Sequence, residues 1–88
     1  MQRGMYMQKF SEQWNKTENK KGIVYLEHSL FGGQTIACDA LRIINDNERI
    51  GVIIKGQEKF VRKGIATVIS VNDKLSVTDG KLKISIKI

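Results

Sequence analysis

Few residues in this chain are of the kinds that perform chemistry, and their spacing decides which reactions are open. Cys38 and His28 are its one cysteine and one histidine. Cys38 and Asp39 are neighbours, and adjacent side chains on a strand point to opposite faces, so the two do not act as a pair. Cys38 alternates with Ile36 and Ala40 and reads as a small buried hydrophobe rather than a nucleophile. His28 falls on the inward parity of its strand beside a turn, a place for a structural or partly exposed ring more than a general base. Gly32-Gly33 lacks the Lys-Ser/Thr continuation and the following helix of a phosphate loop. Asp46 and Glu48 share a turn, where solvation accounts for both. A structural zinc cage takes about four ligands, more than one Cys and one His supply. The expectation is a protein that is not an enzyme and carries no metal or cofactor.

Charge is the remaining chemical resource. The 88 residues hold 15 Lys+Arg against 9 Asp+Glu, a net charge of +6. Residues 1–22 carry Arg3, Lys9, Lys16, Lys20 and Lys21 against Glu12 and Glu18. Residues 23–54 reverse the sign, with Arg42 and Arg49 against Glu27, Asp39, Asp46 and Glu48. Residues 55–64 hold Lys55, Lys59, Arg62 and Lys63 against Glu58 alone, and the C-terminal part adds four lysines against Asp73 and Asp79. Clustered cations attract polyanions, because each phosphate neutralised releases counterions. The same clusters also serve as a solvated face that keeps a small domain soluble.

The elements that position these residues follow from periodicity. The length admits one domain, 1–88, and hydrophobic and charged fractions of 41% and 27% are those of a globular chain rather than a disordered one. Apolar runs such as Ile23 to Leu26 and Val52 to Ile54 are too short to cross a membrane. Met1 to Met7 lacks the apolar core of a secretory signal, and a single cysteine fits a reducing, cytoplasmic setting. Tyr6, Met7, Phe10 and Trp14 share one helical flank, which predicts an N-terminal helix ending between Trp14 and Lys20 and lying over the open end of a sheet. The helix and a polar segment thus occupy 1–20.

From Gly22 onward the period is two. Strands are predicted over Ile23–Leu30, with Val24, Leu26 and Leu30 inward, and over Thr35–Ile44 after a Phe31-Gly32-Gly33-Gln34 turn. Further strands follow over Arg49–Lys55, over Lys59–Val71 with an interruption at Gly64, and over Leu75–Val77. The last strand places Leu82, Ile84, Ile86 and Ile88 on one face and lysines on the other, which reads as a protected sheet edge. Asn45–Glu48, Gly56–Glu58, Asn72–Lys74 and Thr78–Gly80 supply turns. The predicted fold class is mainly β: a helix, then a strongly bent five-strand antiparallel meander closing into a small barrel over 22–88, with an extra C-terminal hairpin.

This order resembles that of the Sm-like proteins, the family that includes bacterial Hfq. Val24-Tyr25-Leu26 is similar to the start of the family's first motif, and Gly33-Gln34 with Asp39 resembles its glycine and the aspartate closing its second strand. Phe60-Val61-Arg62-Lys63-Gly64-Ile65-Ala66-Thr67-Val68-Ile69 resembles the second motif, with Val61-Arg62-Lys63 standing where Hfq-type members carry Tyr-Lys-His. The resemblance spans about residues 5–71 and implies a ring-forming homo-oligomer that binds single-stranded RNA. It implies that Arg62 and Lys63, with Lys59 beside them, contact phosphates and bases near the pore, that Asp39 sets the pocket, and that Leu41 occupies the base-stacking position. Arg3, Lys9 and Lys16 would form a second basic surface on the helix. Two other readings stay open: a small assembly module of the phage or sporulation type, and an inhibitor that covers a nucleic-acid site or captures an anionic ligand.

Overall fold

The computed structural model describes residues 3–88, with side chains from Met7 onward; the side chains of Arg3 and Tyr6 lie outside the described residues. The apolar flank winds as predicted into α1 (Arg3–Asn15). Phe10 and Trp14 are buried, with ring centroids 5.6 Å apart, and Met7 packs beside them. The helix stops where the predicted polar stretch begins. Thr17 donates its hydroxyl to the Trp14 carbonyl at 2.7 Å, and Asn19 turns the chain with a φ of 66°, a conformation asparagine tolerates after a helix.

Eight strands follow: β1 (Gly22–His28), β2 (Gly32–Cys38), β3 (Ile43–Asn45), β4 (Arg49–Ile54), β5 (Gln57–Arg62), β6 (Thr67–Val71), β7 (Lys74–Thr78) and β8 (Leu82–Lys87). They form two antiparallel sheets, one of five strands in the order β2-β1-β8-β7-β6 and one of three in the order β3-β4-β5. The core lies between them, built from Val24, Leu26, Val68, Val77, Ile84 and Ile86 of the larger sheet and Ile50, Val52 and Val61 of the smaller. Burial of these branched side chains, each contributing about 1.5–3 kcal/mol, is the main driving force for the fold. Helix α1 packs on β3 and β6, one strand from each sheet, and sends Trp14 into the core between them.

The mainly-β class, the leading helix and the antiparallel pairing are as expected, but the strands are not one sequential meander, since β1 pairs with β8, and the expected closure into one barrel is not found. Among the described residues no ladder joins the two sheets. The chain instead crosses from one sheet to the other twice, at both places where one long strand was expected. The span 35–44 breaks after Cys38, and the bend at 39–42 is pinned by main-chain bonds between Leu41 and the segment after α1: Leu41 N to Lys20 O and Asn19 N to Leu41 O, both 2.8 Å. The span 59–71 breaks into a short 3-10 turn, Lys63–Ile65, anchored by Lys63 N to Glu48 O at 2.8 Å. A two-residue side-chain period cannot report such a crossing, because both halves keep their alternation.

Other expectations are corrected by pairing. The lysine-bearing last strand is not an edge: β8 lies in the middle of the larger sheet, hydrogen-bonded to β1 on one side and β7 on the other. The C-terminal hairpin is therefore not an addition to a finished fold but the centre of its main sheet. Leu30 does not face inward; it is 80% exposed at the tip of the β1–β2 hairpin, and Ile88 is exposed beyond the end of β8. Gly32 and Gly33 belong to β2 rather than to the turn before it.

The β4–β5 hairpin turns on Lys55-Gly56, one residue earlier than expected, with φ values of 51° and 79°. This is the geometry of a type I′ turn, for which Asn-Gly is preferred and lysine is strained. Lys55→Asn should stabilise the protein by about 0.5–1 kcal/mol, seen as a higher urea midpoint with unchanged slope. An unchanged or lower midpoint would contradict the strain.

Candidate functional site

The outward face of the five-stranded sheet gathers the lysines that the pairing moves to its centre. Register places Thr35, Tyr25, Ser85, Ser76 and Ile69 side by side across the strands. The row on one side holds Ala37, Ile23, Lys87, Lys74 and Val71, and the row on the other holds Gly33, Glu27, Lys83, Thr78 and Thr67. Two small residues between larger ones leave a depression floored by Ser76, whose hydroxyl is hydrogen-bonded to that of the fully buried Ser85 at 2.8 Å. The depression holds about 330 Å³ and is lined by Lys74, Lys83, Lys87, Ile69 and Val71 among others. Both serines are buried beneath these longer side chains.

Electrostatics on this face are one-sided. Glu27 is the only carboxylate at its strand positions, and among the described residues none of the three lysines forms an ion pair within 4 Å. The ammonium of Lys74 lies 4.6 Å from the centre of the Tyr25 ring, an attraction of about 0.5–1 kcal/mol at an exposed site. Lys83 and Lys87, four residues apart on β8, span about 13 Å along the strand. Ammoniums without ion pairs and an aromatic ring on a sheet surface are groups that bind phosphate oxygens and support a base.

The residues singled out by sequence are dispersed. Leu41 is 1% exposed, locked beneath Gly22 in the core, and presents no surface on which a base could stack. Asp39 is exposed in the bend after β2, and no hydrogen bond or ion pair among the described residues joins it to Arg62 or Lys63. Arg62 is exposed on the outward face of the smaller sheet, opposite Arg49. Lys63 is half-buried, and its ammonium donates to the Ser11 hydroxyl at 3.3 Å, part of a cluster in which the Asn45 amide donates to Ser11 and Asn15. Lys63 thus ties β5 to α1. Lys59 faces inward from β5, opposite Val52. Lys9 and Lys16 are exposed on and just after α1, while the Arg3 side chain is outside the described residues.

Arg49, beside Arg62, is already engaged. It stacks 4.9 Å over Phe60 and forms ion pairs with Asp46 at 2.9 Å and Glu58 at 3.2 Å. The Asp46 carboxylate accepts hydrogen bonds from the Glu48 and Arg49 amides and from the Arg49 guanidinium, which hold its pKa down at about 2. These carboxylates offset the positive charge around Arg62. Among the lysines of β7 and β8, by contrast, only Lys83 has a carboxylate, Glu27, at a neighbouring strand position, and it forms no ion pair within 4 Å among the described residues. A signal for the latter was present in the sequence: Lys83, Ser85 and Lys87 alternate with Ile84 and Ile86. It read as edge protection because periodicity does not report which strands lie alongside.

Among the described residues there is no cluster of three or more His, Cys, Asp or Glu placed to hold a metal, and no helix long and apolar enough to cross a membrane. Comparison with protein-family models, with curated proteins and with solved structures gives no match.

Proposed function

We propose that the protein binds single-stranded nucleic acid, RNA in the first instance, across the outward face of its five-stranded sheet. One observation carries the reading: Lys74, Lys83 and Lys87 line a depression floored by Ser76 beside Tyr25, and among the described residues none of them has a carboxylate within 4 Å. The lysines neutralise phosphates, and Tyr25 takes a base on its ring when Lys74 swings from the ring to a phosphate. The resemblance to Sm-like proteins supports RNA as the polyanion, while the lysine face replaces Arg62 and Lys63 as the principal contact. Self-association is part of the same proposal and uses β6, an uncharged edge with Ile69 and Val71 exposed. Pairing of two β6 edges would join two lysine faces into one platform.

The test is binding of short U-rich and A-rich oligonucleotides over a range of salt, together with native mass. Lys74→Ala, Lys83→Ala and Lys87→Ala combined should weaken binding about a hundredfold at low salt and flatten the log–log salt slope by about 2. The double variant Arg62→Ala/Lys63→Ala should retain affinity within about threefold. The opposite ranking would return the site to the Arg62 surface, and a parent protein indifferent to both oligonucleotides at low salt would end the nucleic-acid reading.

A further inference from the structure

The opposite edge of the larger sheet has a different character. β2 pairs only with β1, and among the described residues its main-chain groups form no backbone bond beyond that ladder. Its sequence, Gly-Gly-Gln-Thr-Ile-Ala-Cys, has none of the lysine, proline or inward charge that blunts an exposed edge. Alongside its inward face runs a cleft of about 480 Å³ between β2 and the β4–β5 hairpin. The apolar floor is Leu26, Ile36 and Ile54, and the far wall carries Lys55 and Lys59. Neither lysine has a carboxylate within 4 Å among the described residues.

We infer that this edge and cleft receive an extended peptide segment of a partner protein that carries apolar and acidic side chains together on one strand face. The segment adds to β2 as a sixth strand of the sheet, its main chain taking the free N–H and C=O groups. Every second side chain lies over the cleft, and within that set apolar groups meet Leu26, Ile36 and Ile54 while a carboxylate meets Lys55 or Lys59. Charge selects this occupant over a second copy of the chain. Two β2 edges paired about a two-fold axis place their inward faces on the same side of the joined sheet. That arrangement brings the lysine walls of both clefts together, where like charges repel. The segment is also distinct from the nucleic-acid ligand, which lies on the outward face of the same sheet.

The probe is a synthetic peptide of the length of β2, added to the isotope-labelled full chain. It carries threonine at odd positions and valine, glutamate and valine at the even ones, so that the apolar and acidic groups share a face. Binding should shift and slow the hydrogen exchange of amides in Gly32–Cys38 while leaving those of β6 unchanged. The same peptide with lysine in place of glutamate should bind about tenfold more weakly. Lys55→Glu combined with Lys59→Glu should reverse that order, with far-UV circular dichroism verifying an intact fold. Three results would each overturn the inference: no protection of Gly32–Cys38 by the Val/Glu peptide, equal binding of both peptides, or an unreversed order in the charge-swapped variant. Protection that grows with protein concentration alone, with a doubled native mass, assigns the edge to self-pairing; protection by a U-rich oligonucleotide assigns it to nucleic acid. Either outcome also refutes it.

Discussion

Gly51→Ala should leave little folded protein. Gly51 sits in β4 opposite Phe60 of β5, and the two strands approach so closely that a Cβ at this position would fall against the Lys59 carbonyl oxygen and 2.5 Å from the Phe60 Cα. The obstructing atoms are backbone, so no side-chain rotation relieves the clash; one strand must move away from the other. That shift would break the β4–β5 ladder and open the core at Ile50, Val52 and Val61, which are at most 1% exposed. Overpacking in a well-filled site costs about 1–3 kcal/mol, and a main-chain clash lies above that, at about 4 kcal/mol or more. A domain of this size has a total stability of about 4–13 kcal/mol. Urea unfolding followed by the fluorescence of Trp14, the only tryptophan, measures the loss. A midpoint equal to the parent's would mean that the strands are not this close.

The second large effect also converges on Gly51. Trp14 is fully buried, and its indole N–H donates to the Gly51 carbonyl at 2.9 Å. Trp14→Ala removes the largest side chain of the core and should cost about 3–5 kcal/mol, the range of large-to-small changes at closed sites. Trp14→Phe keeps most of the volume but removes the indole hydrogen bond to the Gly51 carbonyl, a cost of about 0.5–1.5 kcal/mol. Thermal unfolding followed by circular dichroism should therefore rank parent, Phe and Ala in that order. A Phe variant as stable as the parent would remove the hydrogen bond from the account and leave packing alone.

Local elements were legible in the sequence to the extent that short-range chemistry encodes them. The 3.6-residue spacing of Met7, Phe10 and Trp14 and the polar run after it place the helix and its end. Asn72-Asp73, with φ values of 50° and 65°, and Asp79-Gly80 sit in the turns their chemistry favours. Alternation identified Val24, Leu26, Ile84 and Ile86 as inward. What alternation does not carry is lateral order. Nothing in Leu82–Lys87 announces that it lies between β1 and β7, so its lysines looked like the guard of an edge. Ser76 and Ser85, polar residues on an outward parity, are buried because longer neighbours fold over them, which follows from cross-strand register alone. Leu41 fails as a base platform for a similar reason: its burial depends on bonds to Lys20 and Asn19, distant in sequence. Lys59, Arg62 and Lys63, chosen by resemblance, share a stretch of chain, whereas the lysine face is assembled from two strands and an aromatic residue of a third.

The union of β1 with β8 sets the order of events in time. Ile23 pairs with Lys87 and His28 with Leu82, so the middle of the main sheet joins the two ends of the β region. During synthesis, β1 and β2 can form a hairpin early, but its inner flank has no neighbour until Leu82–Lys87 has left the ribosome. Loop closure on that scale is slow compared with hairpin formation, and the half-made sheet exposes Val24 and Leu26 meanwhile. The nascent chain is thus open to chaperones and to mispairing until β8 has emerged, and the lysine face comes into being only with that step.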